Sequence, residues 1–143
     1  MKIEINRLDE AFHFEATNED GRSVQVDAAP AIGGHNAGLR PMQLLLVAIG
    51  TCSLIDILLI LKKQRQEVQD VKMTVTGDRD MDAVPSPFVA IQMKFTFFGA
   101  LKAEKVAQAV RLGVEKYCSV GAMLEKTAKV TYSFDIRPFT TQA

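Results

Sequence analysis

Two cysteines, Cys52 and Cys118, are the side chains in this chain best suited to covalent chemistry. A thiolate is a nucleophile, and two thiols that meet can hold two electrons in exchange with a disulfide. They stand sixty-six positions apart, which matches no local redox motif of the Cys-x-x-Cys kind. Their settings differ. Cys52 lies in the middle of an apolar run, where burial raises a thiol pKa and makes it inert. There the plain reading is a small core residue. Cys118 precedes a helix start near Ser119, where unpaired N–H groups and the helix dipole favour a thiolate. On these residues alone the pair reads either as core side chains or as a redox couple.

Other polar groups offer less. His13 falls on the polar side of a strand and His35 in a loop, where it reads as a solvated side chain. With no clustered cysteines the two histidines make no metal-site spacing. Gly33-Gly34 is no phosphate loop, because no Gly-Lys-Ser/Thr follows and no apolar strand leads directly into it. Asp78, Asp80 and Asp82 alternate in a way that invites calcium. The glycine and closing glutamate of an EF-hand loop are missing, which leaves a solvated loop.

The element that must position Cys52 is the run GLRPMQLLLVAIGTCSLIDILLILKKQR, residues 38–65. Pro41 suits a first helical turn, and Lys62, Lys63 and Arg65 suit a helix C-terminus. Between Met42 and Leu61 the only polar residues are Gln43, Thr51, Cys52, Ser53 and Asp56. A helix apolar nearly all round is expected to be buried on most sides. The run is also long enough to span a bilayer. Asp56 and the Thr51-Cys52-Ser53 trio near its middle argue against that, as do flanking segments that read as strands of a soluble domain. Its position, well inside the chain, does not suit a signal peptide.

Around this helix the alternation of apolar and polar residues predicts strands over 2–7, 12–17 and 22–27. They would be joined at Leu8-Asp9-Glu10 and at the Asp20-Gly21 hairpin turn, with Val24 and Val26 inward. Residues 28–39 form a glycine-rich loop. Strands are predicted over 68–77, 88–98 and 129–136, and the 68–77 and 88–98 segments suit a pair. An amphipathic helix is predicted over 102–117, with a break at Cys118 and a short helix from Ser119. The order β-β-β-α-β-β-α-α-β fits one α+β domain over 1–143, not a wound parallel sheet. Seventeen basic and seventeen acidic residues leave no net charge, and the aromatics are not interleaved with basic residues, so a nucleic-acid partner is not expected. Two cysteines and no export signal suggest a cytoplasmic protein.

Pro41 to Cys52, PMQLLLVAIGTC, together with Tyr117-Cys118-Ser119-Val120, a short helix and a final strand, resembles the OsmC-like family, which includes the organic hydroperoxide resistance proteins. The likeness covers essentially the whole chain in element order. It implies antiparallel sheets around long buried central helices in an intertwined homodimer. It also implies thiol peroxidase chemistry without metal, flavin or other cofactor. Cys52 would attack an organic hydroperoxide and become a sulfenic acid, Cys118 would condense with it to a disulfide, and a dithiol such as dihydrolipoamide would restore both thiols. The family pattern is departed from at Met42, where the catalytic members carry a glutamate. The arginine that stabilises the thiolate in those members corresponds by order to Arg7, with Arg22 and Arg40 as alternatives. Two functions follow: a thiol-dependent peroxidase, or a non-catalytic protein that binds an apolar ligand or partner at the dimer interface.

Overall fold

The computed structural model of the chain describes residues 1–140, and it divides into two compact units, one over Met1–Leu45 and one from Leu46 onward.

In the first unit β1 (Ile3–Arg7), β2 (Phe14–Asn18) and β3 (Ser23–Val26) form an antiparallel sheet in that order. This is the meander that the alternation predicts. Its second turn is the Asp20-Gly21 turn: Gly21 has φ 76°, and the Asn18 side chain accepts the N–H groups of Asp20 and Arg22. The first connection is longer than expected and takes Phe12 out of the strand. The Asp9 carboxylate accepts the N–H groups of Ala11 and His13, a local bond that competes with strand pairing. The loop after β3 is organised by Asp27, whose buried carboxylate accepts the N–H groups of Ala28, His35 and Ala37. His35 is exposed, as expected, but its Nδ1 bonds the Asp9 carboxylate at 2.9 Å. Val24, expected to face inward, is exposed, as are Ile3 and Ile5.

The long helix is α1 (Pro41–Lys63). Its buried residues are Ile49, Ser53, Ile57 and Leu61, one every fourth position, with Gly50 beside them. They trace a single face. Leu45, Val47, Ile55 and Leu59 are exposed, with Ile55 at 60%. Within one chain, then, α1 is buried on one side only. It is long and apolar enough to cross a membrane, but its inner face is occupied: Gly50 packs against Met73 and Val75.

Those residues belong to β4 (Asp70–Arg79), which pairs antiparallel with β5 (Phe88–Phe98). The β4 strand runs two residues past the predicted Gly77, with a register shift at Asp78/Arg79 that lets Arg79 still pair with Phe88. The third strand, β6 (Lys129–Arg137), lies parallel to β5. This corrects the expectation of purely antiparallel sheets. Parallel neighbours require a crossover, and the helices between them supply it. The core centres on β5, where Ile91, Met93, Phe95 and Phe97 are buried. The Phe95 and Phe97 rings stack 6.0 Å apart.

The crossover departs from the predicted continuous helix over 102–117. An α-helix, α2 (Ala103–Leu112), gives way to a π-helical turn over Gly113–Tyr117, followed by the short helix α3 (Ser119–Leu124). The break at Cys118 falls where the sequence predicts it.

Candidate functional site

Gly113 brings the crossover onto α1. A Cβ at this position would stand 2.5 Å from Ile57 Cγ1 and 3.1 Å from the Ser53 carbonyl oxygen. Only glycine lets the two backbones approach this closely. The π-helical turn that follows is a wider turn of the kind often found at functional sites. It delivers Cys118 in an extended conformation, φ −69° and ψ 101°, as the N-cap of α3.

Cys118 is 4% exposed. Its Sγ accepts the Gly121 N–H at 3.1 Å and donates toward the Ile49 carbonyl of α1 at 3.8 Å. Gly121 leaves room for this, since a Cβ there would stand 3.2 Å from Sγ. Burial pushes the Cys118 thiol up. The Ser53 hydroxyl, a potential donor to the charged form, and the Gly121 N–H pull it down, and the neighbouring Cys52 thiol raises it again. The net direction is upward.

Cys52 lies half-buried on α1, and both thiols are free. The two residues, sixty-six apart in the chain, therefore share one environment within the second unit. Cys52, expected to be buried, is only half-buried, and Cys118 is the buried thiol of the two. The helix carrying Cys52 has only one covered face, while Cys118 is tucked beneath that helix at the Ile49 carbonyl. A helix N-terminus does supply Cys118 with an N–H donor, as expected, but desolvation outweighs it.

Arg7 lies in the first unit, where its guanidinium donates to the carbonyls of Ala11, at 3.0 Å, and Glu10. Arg40 donates to the carbonyls of Gly38 and Asp27 and to Asn36 Oδ1. Each guanidinium thus braces its own loop.

Three contributors to the site were not singled out in the sequence. Ser53 is fully buried, and its Oγ has no hydrogen-bond partner. Gly113 and Gly121 act through close approach, and a glycine's neighbours cannot be read from spacing. Beside the thiols, Ile49, Ser53, Met93, Gly121, Glu115 and Tyr132 are among the residues lining a cavity of about 120 Å³. Tyr132 donates to Glu115 at 2.5 Å, and burial together with that carboxylate pushes its phenol up to about 12.

The family model described as OsmC-like protein matches residues 34–133. The chain belongs to the OsmC-like family. Among its relatives is the protein YhfA of Escherichia coli strain K12, 44% identical over 128 residues, which make up 89% of this chain and 92% of that one. A hypothetical protein from Aquifex aeolicus VF5 has a crystal structure that superposes with a TM-score of 0.83 at 34% identity, over 97% of both chains. An organic hydroperoxide resistance protein OsmC from Legionella pneumophila shares the fold, with a TM-score of 0.71 at 14% identity over 94% of this chain and 97% of that one. The OsmC-like chain thus has the mixed α+β fold that the sequence predicts, built of two three-stranded sheets and a few helices.

Proposed function

We propose that this OsmC-like protein is a thiol-dependent peroxidase for organic hydroperoxides. The observation that carries the reading is the meeting of a half-exposed thiol, Cys52, with a buried one, Cys118. In the first step the Cys52 thiolate attacks the terminal oxygen of the hydroperoxide. The O–O bond breaks, the alcohol leaves with a proton, and Cys52 is oxidised to a sulfenic acid. In the second step the Cys118 sulfur attacks the Cys52 sulfur. An S–S bond forms, the S–O bond breaks, and hydroxide leaves as water with the proton of Cys118. An external dithiol reduces the disulfide and is itself oxidised. The burial of Cys118 suits the resolving role, because a buried thiol is poorly placed to meet a substrate. Arg7 is assigned the thiolate-stabilising role that the resemblance implies, and Arg7→Ala is expected to slow Cys52 oxidation. An unchanged rate would remove that assignment.

The open apolar side of α1, with Leu45, Val47, Ile55 and Leu59, supports a homodimer in which a second copy covers it. Sedimentation at micromolar concentration is expected to give a dimer, and a stable monomer would contradict it. The chemistry needs reduced thiols and no cofactor, which suits a cytoplasmic setting.

Stoichiometric cumene hydroperoxide followed by mass spectrometry tests the reading. The expected product is an intrachain Cys52–Cys118 disulfide. Cys118→Ser should trap a sulfenic acid at Cys52, and Cys52→Ser should not react. Both thiols still free after excess hydroperoxide would refute the proposal.

One observation favours the second reading, a non-catalytic protein that binds an apolar ligand or partner: Met42 stands where the catalytic members carry glutamate. A thioether cannot orient an arginine as a carboxylate does. A peroxidase with Met42 is therefore expected to be slow, and Met42→Glu should accelerate Cys52 oxidation. A rate that stays the same or falls in a correctly folded protein would move the binding reading ahead.

A further inference from the structure

Two hydroxyls on α1 behave differently. Thr51 does what a hydroxyl inside a helix ordinarily does: its Oγ1 donates back to the Val47 carbonyl at 2.7 Å. Ser53 could bond the Ile49 carbonyl in the same i−4 manner, yet its Oγ is fully buried and has no partner. The Ile49 carbonyl is the group toward which the Cys118 thiol donates, at 3.8 Å. Side chains on a helix tilt toward its N-terminus, so a residue four positions on lies over that carbonyl. Ser53 and Cys118 therefore both meet the Ile49 turn of α1, beside one cavity, and with the thiol protonated the hydroxyl is unpaired.

The position changes when Cys118 loses its proton. A thiolate is an acceptor only, and it no longer donates to Ile49. It already faces the Gly121 N–H, at 3.1 Å in the thiol form. A second donor, the Ser53 hydroxyl, is buried beside it with its hydrogen uncommitted. An unsatisfied buried hydroxyl is unfavourable in the resting state, and bonding the thiolate relieves it. We propose that Ser53 is a positioning residue for the resolving step: its O–H stabilises the Cys118 thiolate and holds the sulfur as it attacks the Cys52 sulfenic acid. No proton is transferred by Ser53. The S–S bond forms, the S–O bond breaks, and hydroxide leaves as water with the proton that Cys118 gave up. The thiolate-favouring effect of Ser53 on Cys118 agrees with this geometry. The other ionisable groups nearby are the Cys52 thiol on α1 and, around the cavity that Ser53 and Gly121 line, Glu115, Glu125 and Tyr132.

The resolving step rests on the peroxidase reading, but the effect of Ser53 on Cys118 does not, so the first test needs no hydroperoxide. In the Cys52→Ala protein Cys118 is the sole cysteine, and its ionisation can be followed by the Cβ chemical shift of labelled cysteine across pH. Adding Ser53→Ala is expected to raise the Cys118 pKa by about one unit, roughly a tenfold loss of thiolate at a pH below both values, whereas Ser53→Thr keeps it near that of Ser53. Because the hydroxyl is unpaired in the thiol form, Ser53→Ala is expected to leave the Tm at neutral pH unchanged or higher. A merely structural serine would lower it on removal. Ser53→Gly gives the same ionisation test should the alanine variant not fold. An unchanged Cys118 pKa in a folded variant lacking the hydroxyl would overturn the proposal. In protein with both cysteines, Ser53→Ala is then expected to slow disulfide formation roughly tenfold while leaving the rate of sulfenic acid formation at Cys52 unchanged. Equal slowing of both steps would also overturn it.

Discussion

The two compact units are held by different forces. Every buried apolar side chain among the described residues belongs to the second unit, from Ile49 to Ala128, with Phe95 and Phe97 at its centre. In the first unit the fully buried large side chain is the carboxylate of Asp27. Its strands β1 and β3 present mostly exposed residues on both faces. What orders it is local polar bonding: Asp9 and Asn18 brace turns, Asp27 gathers three loop N–H groups, and Arg40 ties carbonyls of the following loop. Hydrophobic burial scales with area removed from water and does not depend on protonation. Hydrogen bonds to a carboxylate do. The second unit should therefore fail through cavities and clashes, and the first through pH.

The largest effect should come from the core of the second unit. Phe95→Ala removes a fully buried ring that stacks on Phe97, and such truncations destabilise by about 3–5 kcal/mol. Denaturant unfolding should show that loss, and a change under about 1 kcal/mol would mean that β5 is not the centre of the core.

A smaller effect is expected where the crossover meets α1. Gly113→Ala sets a methyl 2.5 Å from Ile57 Cγ1 and 3.1 Å from the Ser53 carbonyl. Overpacking of this kind destabilises by roughly 1–3 kcal/mol. Because the same turn delivers Cys118, disulfide formation should slow more than the stability loss alone would suggest. Unchanged disulfide kinetics in the folded variant would show that the π-helical turn does not control the meeting of the thiols.

The smallest effect should lie in the first unit and should depend on pH. The N–H groups of Ala37, His35 and Ala28 hold the Asp27 carboxyl below its ordinary value of 3.8. The unfolded chain then binds its proton at a higher pH than the folded one. The stabilisation is full above the unfolded value and is lost as pH falls through the folded value. Asp27→Asn should lower the Tm at neutral pH, and the gap from the unsubstituted protein should narrow below the ordinary carboxylate value. A gap that is constant down to acid pH would show that Asp27 acts by shape and not by charge.

Much of this architecture was legible along the chain. Period-two alternation marked every strand, because successive side chains of a strand point to opposite faces. The unbroken apolar run from Met42 to Leu61 marked α1, and Asp20-Gly21 marked a turn that needs positive φ. The motifs around Cys52 and Cys118 pointed to the OsmC-like family. Where the reading missed, a local polar bond or a close approach had won. Asp9 holds Phe12 in a loop, and the end of the predicted α-helix is a π-helical turn that starts at Gly113, where the backbone meets α1. The parallel pairing of β6 with β5 was also hidden, since periodicity says which residues share a face but not which neighbour a strand chooses.

The sequence by itself thus determined the elements, their order and the two thiols that could react. Tertiary structure alone decided which thiol is exposed, because burial depends on what lies across from a residue and not on the residues beside it. It also decided that Ile49, Ser53, Gly121 and both cysteines meet. A hydroxyl in a helix reads as a helix-bonded side chain, yet Ser53 makes no such bond. Beside it stands Cys118, brought to the same turn of α1 by a backbone contact that only a glycine permits.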